Sequence, residues 1–403
     1  MSTRARLSYS FILAKFVVFG NKKENKKHMK RIITIIACAV LLAAGSIRLS
    51  ANDGQTATAA SDSRITWVGR TLVEGGNVSC DWSATYAKIS FEGNYLAVNV
   101  SDTKKNYWNV WIDKMPVTEA DLVIATEGEN SFVTIADTDW FKQKYGKKGP
   151  KSHTAIIQKR TEGEQGKTTF HAFYTMGAML QAPGLNERMI EFIGDSYTCG
   201  YGSENSISTD PFTPETENSG KTYAALVARC FQADYVTVAH SGMGIVRNYN
   251  SKFPGYAMPE RYLQVFDEIK EPAWDASANM FKPAMTVIYL GTNDFSTSLM
   301  PHFPNFEKAY LRLLEEVKAN YGEDHPILCV ASKRNLMFDY VRRVAEDCGM
   351  KNVEYLGFFD AVHHENNDEL GASYHPNQIA HNKLAHAIAP YIATMTGWDL
   401  KEL

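Results

Sequence analysis

Two textures of apolar and polar residues divide the chain. From Ile65 onward, short runs alternate or are rich in β-branched and aromatic residues: 87–91, 95–100, 107–113, 131–135 and 153–160. Turn signals separate them, as in Glu74-Gly75-Gly76-Asn77, Glu92-Gly93-Asn94, Glu127-Gly128-Glu129-Asn130 and Glu162-Gly163-Glu164. Strands spaced by roughly 8–12 residues predict an antiparallel β-sandwich. Its span is 62–184, and Gln181-Ala182-Pro183-Gly184 reads as its exit. After Arg188 the pattern changes. Strand-like runs at 189–193, 235–239, 285–290, 326–331 and 353–356 alternate with helical stretches at 223–231, 306–321, 340–347 and 378–395. The run Met285-Thr286-Val287-Ile288-Tyr289-Leu290 is almost wholly apolar, as a strand buried on both faces should be. Strand–helix alternation over 188–403 predicts an α/β domain, a parallel sheet with helices on both faces. Functional residues of such sheets stand at the carboxyl ends of the strands.

The first residues have another pattern. Met29-Lys30-Arg31 is a positive start, 32–44 is an apolar run, and 45–51 turns small and polar. That is a secretory signal in three parts, too short for a membrane span. Met29 reads as the start, with 1–28 an extension and cleavage after Gly45 or Ala51. Ile35-Ile36-Ala37-Cys38 faintly resembles a lipoprotein box, but the apolar run continues past Cys38. Residues 52–61, rich in Ser, Ala, Thr, Asp and Gly, read as a linker. Composition adds one exclusion. The whole chain carries a formal −3, yet 1–51 holds ten Lys/Arg and one acid, so the remainder has 32 basic against 44 acidic residues, a formal −12. An acidic mature protein argues against a nucleic-acid partner. Apart from Cys38 there are Cys80, Cys199, Cys230, Cys329 and Cys348, an odd number without CxxC or finger spacing. They read as buried thiols, and no metal or cofactor is expected.

The chemistry is expected at four strand ends. The stretch Phe192-Ile193-Gly194-Asp195-Ser196 runs a strand straight into a serine, placed as a nucleophile would be. Gly-Asp-Ser alone is weak evidence, and Thr198 breaks the G-x-S-x-G elbow of ordinary α/β hydrolases. His240-Ser241-Gly242-Met243-Gly244 follows the second strand. Its glycines let a main-chain N–H approach a bound group, although a plain turn would look the same. Leu290-Gly291-Thr292-Asn293-Asp294 follows the third. There Asn293 offers an amide donor suited to an oxyanion, although a lone Asn is usually a turn residue. Tyr374-His375-Pro376-Asn377 precedes the last helix, 179 residues after Ser196. A histidine there can reach a serine on the first strand. Asp195 and Asp294 read as turn-capping residues. Among the nearby aromatics, Tyr374, Tyr197 and Trp274 are the candidates for stacking on a sugar; each is equally a core residue in kind.

Gly-Asp-Ser, Ser-Gly, Gly-Thr-Asn-Asp and His-Pro in this order resemble the four blocks of the SGNH (GDSL-like) hydrolases over 188–396. The fuller stretches 193–202, 241–249 and 290–295 are more similar still to the acetyl esterases of carbohydrate esterase family 2. That family also places a jelly-roll sandwich before its catalytic domain. The resemblance implies a flavodoxin-like three-layer fold and a secreted enzyme acting on acetylated plant-type polysaccharides or oligosaccharides. It implies Ser196 as nucleophile and His375 as base. The N–H groups of Ser196 and Gly242 and the amide of Asn293 would form the oxyanion hole. One departure matters. The superfamily usually has an aspartate two or three positions before the histidine, where this chain has Ser373 and Ala372. A main-chain carbonyl is then left to orient the base, making a Ser–His dyad. The alternatives are an inert carbohydrate-binding protein and an SGNH lipase or thioesterase, though no apolar lid stands near Ser196.

Overall fold

The computed structural model describes residues 54–114, 119–278, 281–332, 336–358 and 367–401. The expected signal segment, its cleavage points and Cys38 lie outside these residues. Among them, no helix is long and apolar enough to cross a membrane.

Two antiparallel sheets form the sandwich. One orders Leu72–Glu74, Asn77–Cys80, Thr168–Thr175, Leu96–Asp102 and Ser131–Ala136, with Thr56–Ala59 also paired to Thr168–Thr175. The other orders Met179–Leu180, Tyr86–Glu92, Ser152–Lys159, Asn106–Ile112 and Leu122–Thr126, with Thr66–Val68 on Tyr86–Glu92. The stretch 52–61, expected as a linker, thus supplies a strand; its Thr-Ala-Thr-Ala sequence gives almost no apolar signal. The helix Thr138–Tyr145 was equally illegible: it is polar, capped by Asp137, and buries only Phe141.

Every residue of Asn106–Ile112 is buried. Trp108, Val110 and Ile112 face the sandwich core. The alternate face turns to the second half of the chain. There Tyr107 hydrogen-bonds Glu215, and Asn109 Nδ2 donates to Asn218 Oδ1 at 2.8 Å. Arg229 lies 6.0 Å from the Trp111 ring centroid. Residues 51–403 form one compact unit.

The second half is a five-stranded parallel sheet ordered Asp234–Ala239, Met189–Gly194, Met285–Tyr289, Ile327–Ser332, Val353–Phe358. Numbered along the chain, that order is 2-1-3-4-5, the flavodoxin-like arrangement, whose crevice opens where the order reverses beside the first strand. Helix Tyr223–Cys230 packs on Gln378–Thr396, and Phe303–Tyr321 on Met337–Asp347, so helices cover both faces. In Phe303–Tyr321 the stripe Phe306, Tyr310, Leu313, Leu314 and Val317 is buried at helical spacing. The helix starts at Phe303, earlier than its apolar stripe, because Pro304 suits a first turn. Cys80, Cys199, Cys230, Cys329 and Cys348 are free thiols.

Arg70, from the sandwich, crosses to the second half of the chain. Its guanidinium is fully buried, 3.4 Å from Glu191. It lies 4.6 Å from the Trp274 ring centroid. Trp274 therefore covers this ion pair and packs with Val68, Met189 and Phe281. Met189 opens the strand that ends at Ser196, so Trp274 sits at the opposite end of the sheet. The expectation of a sugar-stacking Trp274 fails, because a flat guanidinium takes its face.

Candidate active site

Parallel register brings the candidate residues level. Gly194 pairs with Ala239 on one side and Tyr289 on the other, so Ser196, His240–Gly242 and Asn293 all begin just past the same edge. Ser196 opens the four-residue helix Ser196–Cys199. Asp195 caps it, accepting the Tyr197 N–H at 3.1 Å. Gly200, left-handed at φ 84°, closes it. Gly194 admits no side chain, since a Cβ would overlap Thr198.

His375 comes from the far end of the chain. Its Nε2 lies 3.0 Å from Ser196 Oγ. Its Nδ1 faces the Ser373 carbonyl at 3.0 Å. That carbonyl is aimed by an unusual backbone: Ser373 and Tyr374 are left-handed, with φ 53° and 59°. The segment 202–212 holds the loop. Ser373 N donates to Asp210 O at 2.8 Å, Tyr374 N to Ser208 O at 3.0 Å, and Phe212 N to Ser373 Oγ at 3.1 Å. Tyr201 lies between two rings, with centroids 3.7 Å from Phe212 and 4.5 Å from His375. Asn377 caps the last helix by accepting the Ile379 N–H at 2.9 Å. Thus the residue two after the histidine caps the helix that follows it.

The Ser196 N–H begins a helix and has no intrahelical acceptor. Among the described residues neither it nor the Gly242 N–H meets an acceptor. Gly242 is left-handed at φ 79°. Asn293 is buried. Its Nδ2 donates to Met243 O at 2.8 Å and contacts Asp195 Oδ2 at 3.3 Å. Asp294 organises the Gly242 loop: its carboxylate accepts the N–H groups of Ile245, Val246 and Arg247 at 2.7, 2.8 and 3.0 Å. Burial raises Asp294 to about 6, with those N–H groups holding it down. Burial raises Asp195 to about 7; the Tyr197 N–H opposes this and Asp294 adds to it.

Tyr374 is 54% exposed beside His375. Tyr249 is 68% exposed, and its N–H donates to Gly242 O at 2.7 Å. Tyr197, expected to stack on a sugar, is only 9% exposed and packs edge-on to Tyr289. It points into the core of the parallel-sheet half and also packs edge-on to His375. Phe212 and Glu162 were not expected. Neither has periodicity or a motif to mark it, and Glu162 belongs to the sandwich.

Two buried sets have metal-ligand chemistry: Glu162, Cys199, Glu217 and Glu162, His240, Asp267. Their atoms are engaged with one another. His240 Nδ1 bonds Asp267 Oδ2 at 2.7 Å, and Cys199 Sγ donates to Glu162 Oε2 at 3.4 Å. Burial, then Glu162 and Glu217, push the Cys199 thiol well up, so it keeps its proton. A 580 Å³ pocket lined by Lys88, Gln158, Arg229 and Asp234 lies at the other end of the edge strand, away from Ser196.

Comparison with known proteins gives one family. Residues 67–183 match the model for the carbohydrate esterase 2 N-terminal domain, and 190–388 match GDSL-like lipase/acylhydrolase. A solved structure of a family two carbohydrate esterase from Clostridium thermocellum, in complex with cellohexaose, is 30% identical with a TM-score of 0.73. That similarity covers 83% of this chain and 100% of the other. The cellulase/esterase CelE of Acetivibrio thermocellus is 31% identical over 79% of this chain, which spans 38% of that longer protein. An acetylxylan esterase / glucomannan deacetylase of Cellvibrio japonicus is 28% identical, over 82% of this chain and 90% of its own.

Proposed function

Because the chain belongs to carbohydrate esterase family 2, we propose that it removes O-acetyl groups from plant-type polysaccharides or oligosaccharides, through a Ser196–His375 dyad and an acyl-serine intermediate. The observation that carries the reading is the Ser196 Oγ–His375 Nε2 contact of 3.0 Å, with Nδ1 held by a carbonyl. The carbonyl accepts the Nδ1 proton and leaves Nε2 free to act as base. Ser196 Oγ attacks the acetyl carbonyl carbon as Nε2 takes its proton. The tetrahedral oxyanion meets the N–H groups of Ser196 and Gly242. Asn293 joins them by releasing its longer contact to Asp195. Collapse breaks the acyl–oxygen bond, and the imidazolium gives its proton to the departing sugar oxygen, which leaves as a hydroxyl. Water, deprotonated by the same histidine, then releases acetate and restores Ser196. The exposed rings of Tyr374 and Tyr249 flank the entrance and offer faces to a sugar. The three-part pattern of 29–51 supports reading the enzyme as secreted or periplasmic.

Replacing Ser196 with Ala tests this. Acetate release from acetylated xylan or mannan and from 4-nitrophenyl acetate should fall by about 10⁴-fold or more. Undiminished release ends the reading. Polysaccharide binding with no turnover by the unaltered protein would favour the inert binder, and a strong preference for octanoyl over acetyl esters the lipase.

A further inference from the structure

Glu162 belongs to the sandwich yet touches the loop that carries Gly242. It caps the short turn Gly163–Gln165 just after the strand Ser152–Lys159. It is fully buried. Its Oε2 accepts the Ser241 N–H at 2.6 Å and the Cys199 thiol at 3.4 Å. The same oxygen lies 4.0 Å from His240 Nδ1. One carboxylate oxygen therefore meets the residue before Gly242 and the helix that begins at Ser196.

The backbone of Glu162 is itself fixed. Lys159 Nζ donates to Thr161 O at 2.8 Å and Glu162 O at 3.1 Å. The Glu162 N–H donates to Glu217 Oε2 at 3.1 Å. Burial, then the charge of Glu162, push Glu217 well up, so Glu217 holds its proton. On the other side, the 240–243 turn closes through Met243 N–H to His240 O at 3.2 Å, and Tyr249 N–H donates to Gly242 O at 2.7 Å. Between these ties the Ser241 N–H has one partner among the described residues, and it is Glu162. An N–H to carboxyl bond of 2.6 Å is among the shorter ones available to a loop.

We infer that Glu162 is a positioning residue for the reaction proposed above: through the Ser241 N–H it fixes the direction of the Gly242 N–H toward the oxyanion. The sandwich then contributes to catalysis itself as well as to its scaffold. The inference rests on the Ser196 reading.

The test uses the full chain with Glu162→Ala, Glu162→Asp and Glu162→Gln, and with Glu217→Gln as control. Kinetics on 4-nitrophenyl acetate separate kcat from KM. Glu162→Asp retracts the carboxylate from Ser241 and keeps its charge. It should lower kcat by about 10²-fold, the cost of misplacing a catalytic group by roughly 1 Å, with KM unchanged. Glu162→Ala should do the same, and where it fails to fold Glu162→Asp decides. Glu162→Gln keeps an acceptor for the Ser241 N–H and should restore most of kcat. Glu217→Gln keeps an acceptor for the Glu162 N–H and should lower kcat less than Glu162→Asp does. A folded Glu162→Asp with unaltered kcat, or a loss seen only in KM, overturns the assignment. Ser196→Ala, measured alongside, separates the two levels: an inactive Ser196→Ala with an unaffected Glu162→Asp defeats only the role of Glu162, whereas an active Ser196→Ala defeats the reading beneath it.

Discussion

Ser373 occupies a place where a related enzyme would be expected to carry a carboxylate near its histidine, and it meets His375 with its backbone. The carbonyl is aimed by φ 53° at Ser373 and φ 59° at Tyr374. Left-handed geometry is easy for glycine and costs a β-branched residue more. Ser373→Gly should therefore keep activity, losing only the contact from the Phe212 N–H, whereas Ser373→Val should cost about 1–2 kcal/mol of local strain and misdirect the carbonyl. Comparison of kcat for the two variants checks this; equal losses would mean that the side chain is what matters. Residue identities at this scale were legible where chemistry restricts the choice, as at Ser196 and His375, which the fold does bring together. They were illegible where the role is conformational or lies across the sheet. Trp274 and Tyr197 carry the same aromatic surface as Tyr374, and only burial separates them.

The element that sets the Gly242 loop is the turn Thr292–Phe295, through Asp294. Its carboxylate takes three consecutive N–H groups, 245 to 247. Gly244 makes this approach possible, since a methyl there would overlap the Arg247 carbonyl and the Asp294 carboxylate. Gly244→Ala should destabilise the protein by about 1–3 kcal/mol and reduce kcat, read by thermal melting and by steady-state turnover of 4-nitrophenyl acetate. Unchanged melting would show that the loop can shift freely. At this scale the sequence was informative for the parallel sheet, whose apolar runs are buried on both faces and stand out from their flanks. It was poor for the sandwich edges. Thr56–Ala59 and Leu72–Glu74 are short, and solvent reaches them, so neither alternation nor bulk marks them.

Across the whole molecule, the junction of sandwich and hydrolase buries charged groups beside its apolar contacts. Asp81 of the sandwich accepts the Asp267 N–H at 2.9 Å, and Asp267 holds His240. Burial opposes charge on His240, but Asp267 and Glu162 outweigh it and raise it to about 9. A raised histidine binds its proton more tightly when folded, so its stabilisation is complete below pH 6.5 and is lost as pH rises toward 9. The shift corresponds to something on the order of 3 kcal/mol. Burial, then Asp267, raise Asp81 to about 7. Its folded form also holds the extra proton, so stability falls as pH rises through 4 to 7 as well. Urea unfolding across pH should show both slopes, and His240→Gln should flatten only the upper one; an unchanged upper slope would rule out His240 as its source. The two halves looked separable in the sequence because their patterns differ, and pattern reports the fold of each half without reporting what its outer face meets.

Asn106–Ile112, enclosed on both faces, has a consequence for inheritance. A strand with no free face cannot be parted from either neighbour without exposing surface that evolved dry. The unit that recombination can move intact between genes is therefore the pair, and a splice placed between 184 and 188 would divide one module in two.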